Sequence, residues 1–288
     1  MSNASDLDAL VPAVAFNRRG FLATALGAGF ALATQPIMAQ TAIHTGAEGL
    51  TAGPIQVPAA DGPLAAYRVQ PATGAKFPTI LVASEIFGVH EYIADVCRRL
   101  AKLGYQAIAP ELFARYGDPR NIADIQQILT TIVSKVPDRE ALADLDACAA
   151  WAAKNGGDPS RLGITGFCWG GRITWLYADH NPKLKAAVAW YGRLSGPVGE
   201  RNPRHPLDIA AGLKVPVLGL YGGKDPSIPA EEVELMRQVV NEAGGKSELV
   251  VYPEAPHAFH ADYRPTYRPE AAQDGWRRMR EWFVKYGL

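Results

Sequence analysis

Cysteine is scarce in this chain of 288 residues: only Cys97, Cys148 and Cys168 are present. Three scattered thiols exclude a disulfide framework and a four-ligand zinc site, and their odd number leaves at least one unpaired. Net charge is missing as well, since 29 Lys and Arg residues offset 29 Asp and Glu residues. An evenly mixed surface cannot collect the positive potential that nucleic acid or an anionic membrane surface requires, so neither is expected as a partner. After residue 50 there is no internal repeat, no low-complexity tract and no Ser/Gly linker, which favours one domain. With those classes removed, a hydrophobic content of 48% fits a soluble protein acting on a small molecule.

The amino terminus has its own pattern. Residues 16–40 read FNRRGFLATALGAGFALATQPIMAQ, with Arg18 and Arg19 ahead of a Gly- and Ala-rich apolar stretch. That is the layout of a twin-arginine export signal, which the export machinery would read at Arg18 and Arg19. The apolar part is about a dozen residues long, against the roughly 20 that cross a bilayer, which argues against an anchor. Cleavage after Ala39 is expected, although Ile37 is large for a cleavage site. The signal then occupies residues 1–39 and a single domain residues 40–288, working in the periplasm with no membrane attachment in the mature form. The competing reading is a disordered cytosolic tail with a chance arginine pair.

Short apolar, β-rich runs at 64–70, 79–84, 106–110, 162–167, 186–191, 216–221 and 248–252 read as strands. Runs such as TILVAS and VLGLY are apolar throughout, as strands covered on both faces are. Between them, Ile93, Val96, Cys97, Leu100 and Leu103 recur at helical spacing, as do Ile122, Ile125, Ile128, Leu129, Ile132 and Val133. Further helices carry Leu142, Leu145, Cys148 and Ala152, and then Trp276, Met279, Phe283 and Tyr286. The alternation predicts an α/β fold with a mostly parallel sheet between two helical layers. Function in such folds sits at the carboxyl ends of the strands. The stretch 122–136 reads either as a cover over the site or as a core helix.

At one strand end the chain runs Gly166-Phe167-Cys168-Trp169-Gly170-Gly171, the nucleophile-elbow pattern with cysteine in place of serine. An elbow exposes its nucleophile at a helix amino terminus, where the dipole favours a thiolate and free N–H groups can hold an oxyanion. Beyond the next apolar strand comes Gly222-Gly223-Lys224-Asp225, and beyond the last one Ala255-Pro256-His257-Ala258-Phe259. The order nucleophile, acid, histidine is that of α/β-hydrolases. In this reading His257 takes the thiol proton and Asp225 orients its ring. The alternatives make Asp225 a turn residue and His257 a hydrogen-bonded loop histidine.

Together with Ser84-Glu85-Ile86-Phe87-Gly88, these segments resemble the dienelactone hydrolase family, also called carboxymethylenebutenolidases, over roughly residues 50–288. The resemblance implies a three-layer α/β-hydrolase fold and a triad of Cys168, Asp225 and His257. It further implies that Glu85 contacts the resting thiol and helps deprotonate it, and that the backbone N–H groups of Ile86 and Trp169 form the oxyanion hole. Glu85 stands out without the resemblance too, because a lone carboxylate in the run ILVASEIFGV is costly to bury charged unless it finds a partner. The reaction implied is hydrolysis of a lactone or ester through a thioester, with no metal or organic cofactor.

One departure bears on the substrate. Family members that act on dienelactones hold the substrate carboxylate with arginines, one of them four residues beyond the catalytic histidine, and here that position is Ala261. Arg264 is the nearest substitute, with Arg115 and Arg120 as further candidates, although each also reads as a solvated surface arginine. Cys97 and Cys148 fall on apolar helical faces and read as packing residues. His90, His180 and His205 show no metal-ligand spacing. Two readings compete with the enzyme: a ligand-binding protein that keeps the hydrolase fold without catalysis, and a thiol-transfer role, which lacks a nearby second cysteine.

Overall fold

Apolar runs too hydrophobic for a one-sided sheet become the central strands of an eight-stranded sheet. The structure is a computed structural model that describes residues 42–288. The export signal read in residues 1–39 lies outside the described residues. In chain order the elements are β1 Leu50–Ala59, β2 Gly62–Pro71, β3 Phe77–Ala83, α1 Glu91–Lys102, β4 Gln106–Pro110, α2 Ile125–Thr131, α3 Asp138–Lys154 and β5 Gly157–Phe167. There follow α4 Trp169–His180, β6 Leu184–Trp190, α5 Pro206–Ile209, β7 Val217–Gly222, α6 Ala230–Glu242, β8 Glu248–Tyr252 and α7 Pro269–Lys285.

The strand order is β1-β2-β4-β3-β5-β6-β7-β8. β1, β2 and β4 pair antiparallel, and every pair from β4 to β8 is parallel. β3 has β4 on one side and β5 on the other, so the chain reverses its direction of travel across the sheet there. In open α/β sheets a crevice forms at such a switch point, outside the carboxyl ends of the strands. The register Ala83↔Gly166 brings the segments that follow β3 and β5 side by side. α4 packs on β5 and β6, α3 on β5, and α7 on β6 and β7.

Three elements differ from the sequence reading. β1 was not anticipated: Pro54 and Pro58 weaken its strand signal, and both are tolerated because β1 is an edge strand. The periodic stretch 122–136 is not one helix. α2 covers only its middle, capped by Asp124, whose carboxylate accepts from the Gln127 N–H, and it ends where Ile132 leaves helical geometry. A 3-10 turn, Val133–Lys135, follows. Burial of Ile128, Leu129, Ile132 and Val133 explains the apolar spacing without a continuous helix. α6 was not singled out, because its buried side is only Val233, Met236 and Val240.

Candidate active site

Cys168 stands between β5 and α4 with φ 55° and ψ −116°, a conformation that costs an ordinary residue energy and marks a tight elbow. The turn is held by the Cys168 N–H donating to Trp190 O at 3.0 Å and the Arg172 N–H donating to Cys168 O at 3.1 Å. The flanking glycines have a steric cause. A Cβ on Gly166 would lie 2.3 Å from Gly170 O, and one on Gly170 would lie 2.2 Å from Ala83 O. Cys97 and Cys148 are free thiols in the core, and burial pushes both well above the ordinary thiol range. Cys168, by contrast, retains 4% exposure at the carboxyl end of the sheet.

The loops after β7 and β8 bring Asp225 and His257 together, with His257 Nδ1 2.6 Å from Asp225 Oδ2. The other carboxylate oxygen accepts from the backbone N–H and the hydroxyl of Ser227, at 2.9 and 2.6 Å. Ser227 was not singled out in the sequence, although Asp-Pro-Ser carries the signal of an Asx turn. Burial opposes charge on both partners. It is outweighed at Asp225, where His257 and Ser227 hold the carboxyl below its ordinary value. It is outweighed also at His257, where the charges of Asp225 and Cys168 push the imidazole up to about 10. Among the described residues the buried Nε2 of His257 makes no hydrogen bond of ordinary geometry, and the ring interacts with Cys168. Among the described residues, three of the four non-glycine positions at positive φ lie here: Cys168, Tyr191 and Ala258. The Tyr191 ring meets that of His257 edge-on at 5.2 Å.

Glu85, the first carboxylate beyond β3, is fully buried. It finds the partner that its setting demands, though not the one expected. Tyr263 donates its hydroxyl to Oε2 at 2.7 Å, and His90 Nε2 lies 3.9 Å from the same oxygen. No hydrogen bond joins Glu85 to the Cys168 thiol, and the buried Oε1 has no hydrogen-bond partner among the described residues. Burial raises the Glu85 pKa, but His90, the Arg264 charge and Tyr263 together bring it below the ordinary value. Ile86 and Trp169 are both buried, on the two adjoining strand ends. Trp169 is the first residue of α4, so its N–H has no acceptor within the helix. No backbone carbonyl among the described residues accepts the N–H of Ile86.

The three candidate arginines separate. Arg264, half-buried, stands over the Phe87 ring at 5.6 Å, and its charge interacts with Glu85 and Cys168. Arg115 is held by Asp61 and Asp144, and Arg120 by Asp118, Glu111 and the Val89 carbonyl, so both are already paired. A groove of about 470 Å³ lined by Thr79, Asp146, Leu162 and His180 belongs to the opposite, amino-terminal end of β3 and β5.

Strand order and elbow together place the fold among the α/β-hydrolases. Within that class the chain belongs to the dienelactone hydrolase family, whose family model matches residues 64–287. It is 58% identical over 285 residues to a protein of Methylorubrum extorquens provisionally named carboxymethylenebutenolidase, covering 99% of this chain and 98% of the relative. A protein of Escherichia coli K12 with the same provisional name is 55% identical over 267 residues, 92% of this chain and 98% of the relative. A crystal structure from Klebsiella pneumoniae, provisionally described as a dienelactone hydrolase, matches with a TM-score of 0.81 at 57% identity, covering 82% of this chain and 99% of that one. The chain is thus a hydrolase of the dienelactone hydrolase family.

Proposed function

We propose that the protein opens carboxylate-bearing lactones, and cleaves related activated esters, with Cys168 as nucleophile. The observation that carries this reading is the Asp225–His257 pair: Nδ1 is committed to a buried carboxylate, and the ring interacts with Cys168. The Cys168 thiolate adds to the carbonyl carbon, and the N–H groups of Ile86 and Trp169 hold the oxyanion. Collapse breaks the ring C–O bond, and His257 protonates the departing oxygen. Water then adds to the thioester as His257 takes a proton, and the C–S bond breaks to release acid and thiolate. Glu85 takes the proton of the resting thiol at the start, so the His257 imidazolium still carries the one it gives to the departing oxygen, and Glu85 returns its proton to the thiolate when the cycle ends. Arg264, which has no salt bridge among the described residues, is the residue available for a substrate carboxylate, such as the one in the carboxymethylenebutenolide for which the relatives are named. No step calls for a metal or organic cofactor.

The test is hydrolysis of a carboxylate-bearing lactone and of short aryl esters by the protein and by Cys168→Ala, with mass spectrometry for an acyl adduct on Cys168. Loss of turnover and an adduct on the peptide containing Cys168 support the reading. Turnover retained in Cys168→Ala overturns it.

For the site of action, we infer export through Arg18 and Arg19 to the periplasm, on the strength of the sequence pattern of residues 1–39. Replacing both arginines by lysine should retain the protein in the cytoplasmic fraction, uncleaved. Unchanged fractionation would refute the inference.

A further inference from the structure

We propose that His90 is a positioning residue for Glu85, fixing the carboxylate by Oε2 so that Oε1 is left to serve the Cys168 thiol; the clause about the thiol rests on the function proposed above. His90 is the residue before α1 and makes no side-chain cap to that helix. Its ring is instead locked by aromatic neighbours, stacked on Tyr92 at 5.9 Å and edge-on to Tyr263 at 4.8 Å and Phe87 at 6.1 Å. That packing drives Nε2 inward, where it is buried, has no hydrogen-bond partner at ordinary distance among the described residues and lies 3.9 Å from Glu85 Oε2.

A buried polar atom without a partner is costly, and here two such atoms, His90 Nε2 and Glu85 Oε1, belong to one cluster. An unprotonated nitrogen facing a carboxylate would set two acceptors against each other, so the geometry places the proton on Nε2. The N–H dipole then points at Oε2, which already accepts the Tyr263 hydroxyl. With Oε2 held from two sides, Oε1 is the oxygen left without a partner. The groups that face Glu85 come from four segments. They are His90 on its own loop, Tyr92 on α1, Tyr191 after β6, and Tyr263 and Arg264 after β8. The three tyrosines are neutral, their ionisation suppressed chiefly by burial and further by the Glu85 charge. Arg264 is the cation that a bound carboxylate would engage. His90 is therefore the group placed to keep Glu85 ionised when Arg264 turns to substrate.

The test compares His90→Phe, which keeps an aromatic ring but has no donor, with His90→Gln, which keeps a donor. The Glu85 carboxyl is followed by 13C NMR across pH, its signal identified with Glu85→Gln, and kcat/KM for an aryl ester is measured over the same range. His90→Phe should raise the carboxyl midpoint by about one pH unit and lower kcat/KM about tenfold on the acid limb only. His90→Gln should return both most of the way. A midpoint unmoved in folded His90→Phe overturns the proposal, and so does a midpoint that moves while the acid limb stays in place. Failure of the thiol reading shows separately, as turnover surviving Cys168→Ala, and leaves the NMR measurement of the Glu85–His90 contact intact.

Discussion

His257 Nδ1 lies 2.6 Å from Asp225 Oδ2, and the two residues are contributed by loops at the ends of neighbouring parallel strands, β7 and β8. Each partner is about 5% exposed, so solvent screens the contact little. Asp225→Asn would leave the packing in place but remove the charge that selects the Nδ1–H tautomer. Ester hydrolysis should fall by a factor on the order of 10³ to 10⁴.

The same pair makes stability depend on pH. The His257 pKa is raised from 6.5 to about 10 in the folded chain. A raised folded value stabilises the protein fully below the unfolded pKa, and the contribution is lost as pH rises through the folded one. The Tm gap between the wild type and Asp225→Asn should therefore be widest near pH 6 and narrow towards pH 10. A calorimetric series across that window checks the sign.

Thiol accessibility should separate Cys168 from the other two cysteines. Cys97 and Cys148 are fully buried and held as thiols by desolvation, whereas Cys168 sits at the elbow beside His257. Iodoacetamide on the native protein at neutral pH should add one group, at Cys168. After denaturation it should add three. Intact-mass and peptide mass spectrometry read both numbers.

Arg264 is expected to discriminate by substrate charge. A charge-assisted bond from a guanidinium to a carboxylate contributes about 1.5–3 kcal/mol, roughly a 10- to 100-fold effect. Arg264→Leu should raise KM by that factor for a carboxylate-bearing lactone and barely change it for a neutral aryl ester. Steady-state kinetics on the two substrates decide the matter.

Arg172, in the elbow helix, pairs through two nitrogens with Asp138 at 2.6 and 2.8 Å, and its Nε donates to His205 Nδ1 at 3.1 Å. All three side chains are buried. Arg172→Met would strand the Asp138 carboxylate, at a cost of about 3–5 kcal/mol in unfolding free energy. The double variant Arg172→Met/Asp138→Leu should recover much of that loss. Urea denaturation of the wild type and the two variants measures it.

The local sequence was enough to set the class of fold and to single out the residues of the candidate site. Continuous apolar runs are strands covered on both faces because an uncovered face would need polar side chains. The glycines around Cys168 announce the elbow because any Cβ at Gly166 or Gly170 would collide with backbone. The order of Cys168, Asp225 and His257 followed from each residue standing just beyond a strand. Edge strand β1 and the broken helix at 122–136 were less legible, since proline-rich edges and buried irregular turns imitate other patterns.

What the tertiary structure alone decided is which groups meet across long separations in the chain. Tyr263 and Arg264 reach Glu85 from 178 and 179 positions away, and no local pattern encodes that distance. His90 carried no signal, because its lack of ligand spacing said nothing about the Glu85 carboxylate beside it. Among three arginines alike in sequence, two are paired with carboxylates that the fold brings to them, whereas Arg264 has no salt bridge among the described residues and its charge faces Glu85. Burial and pairing are properties of the assembled core. They decide which charges find a partner inside the fold and which do not.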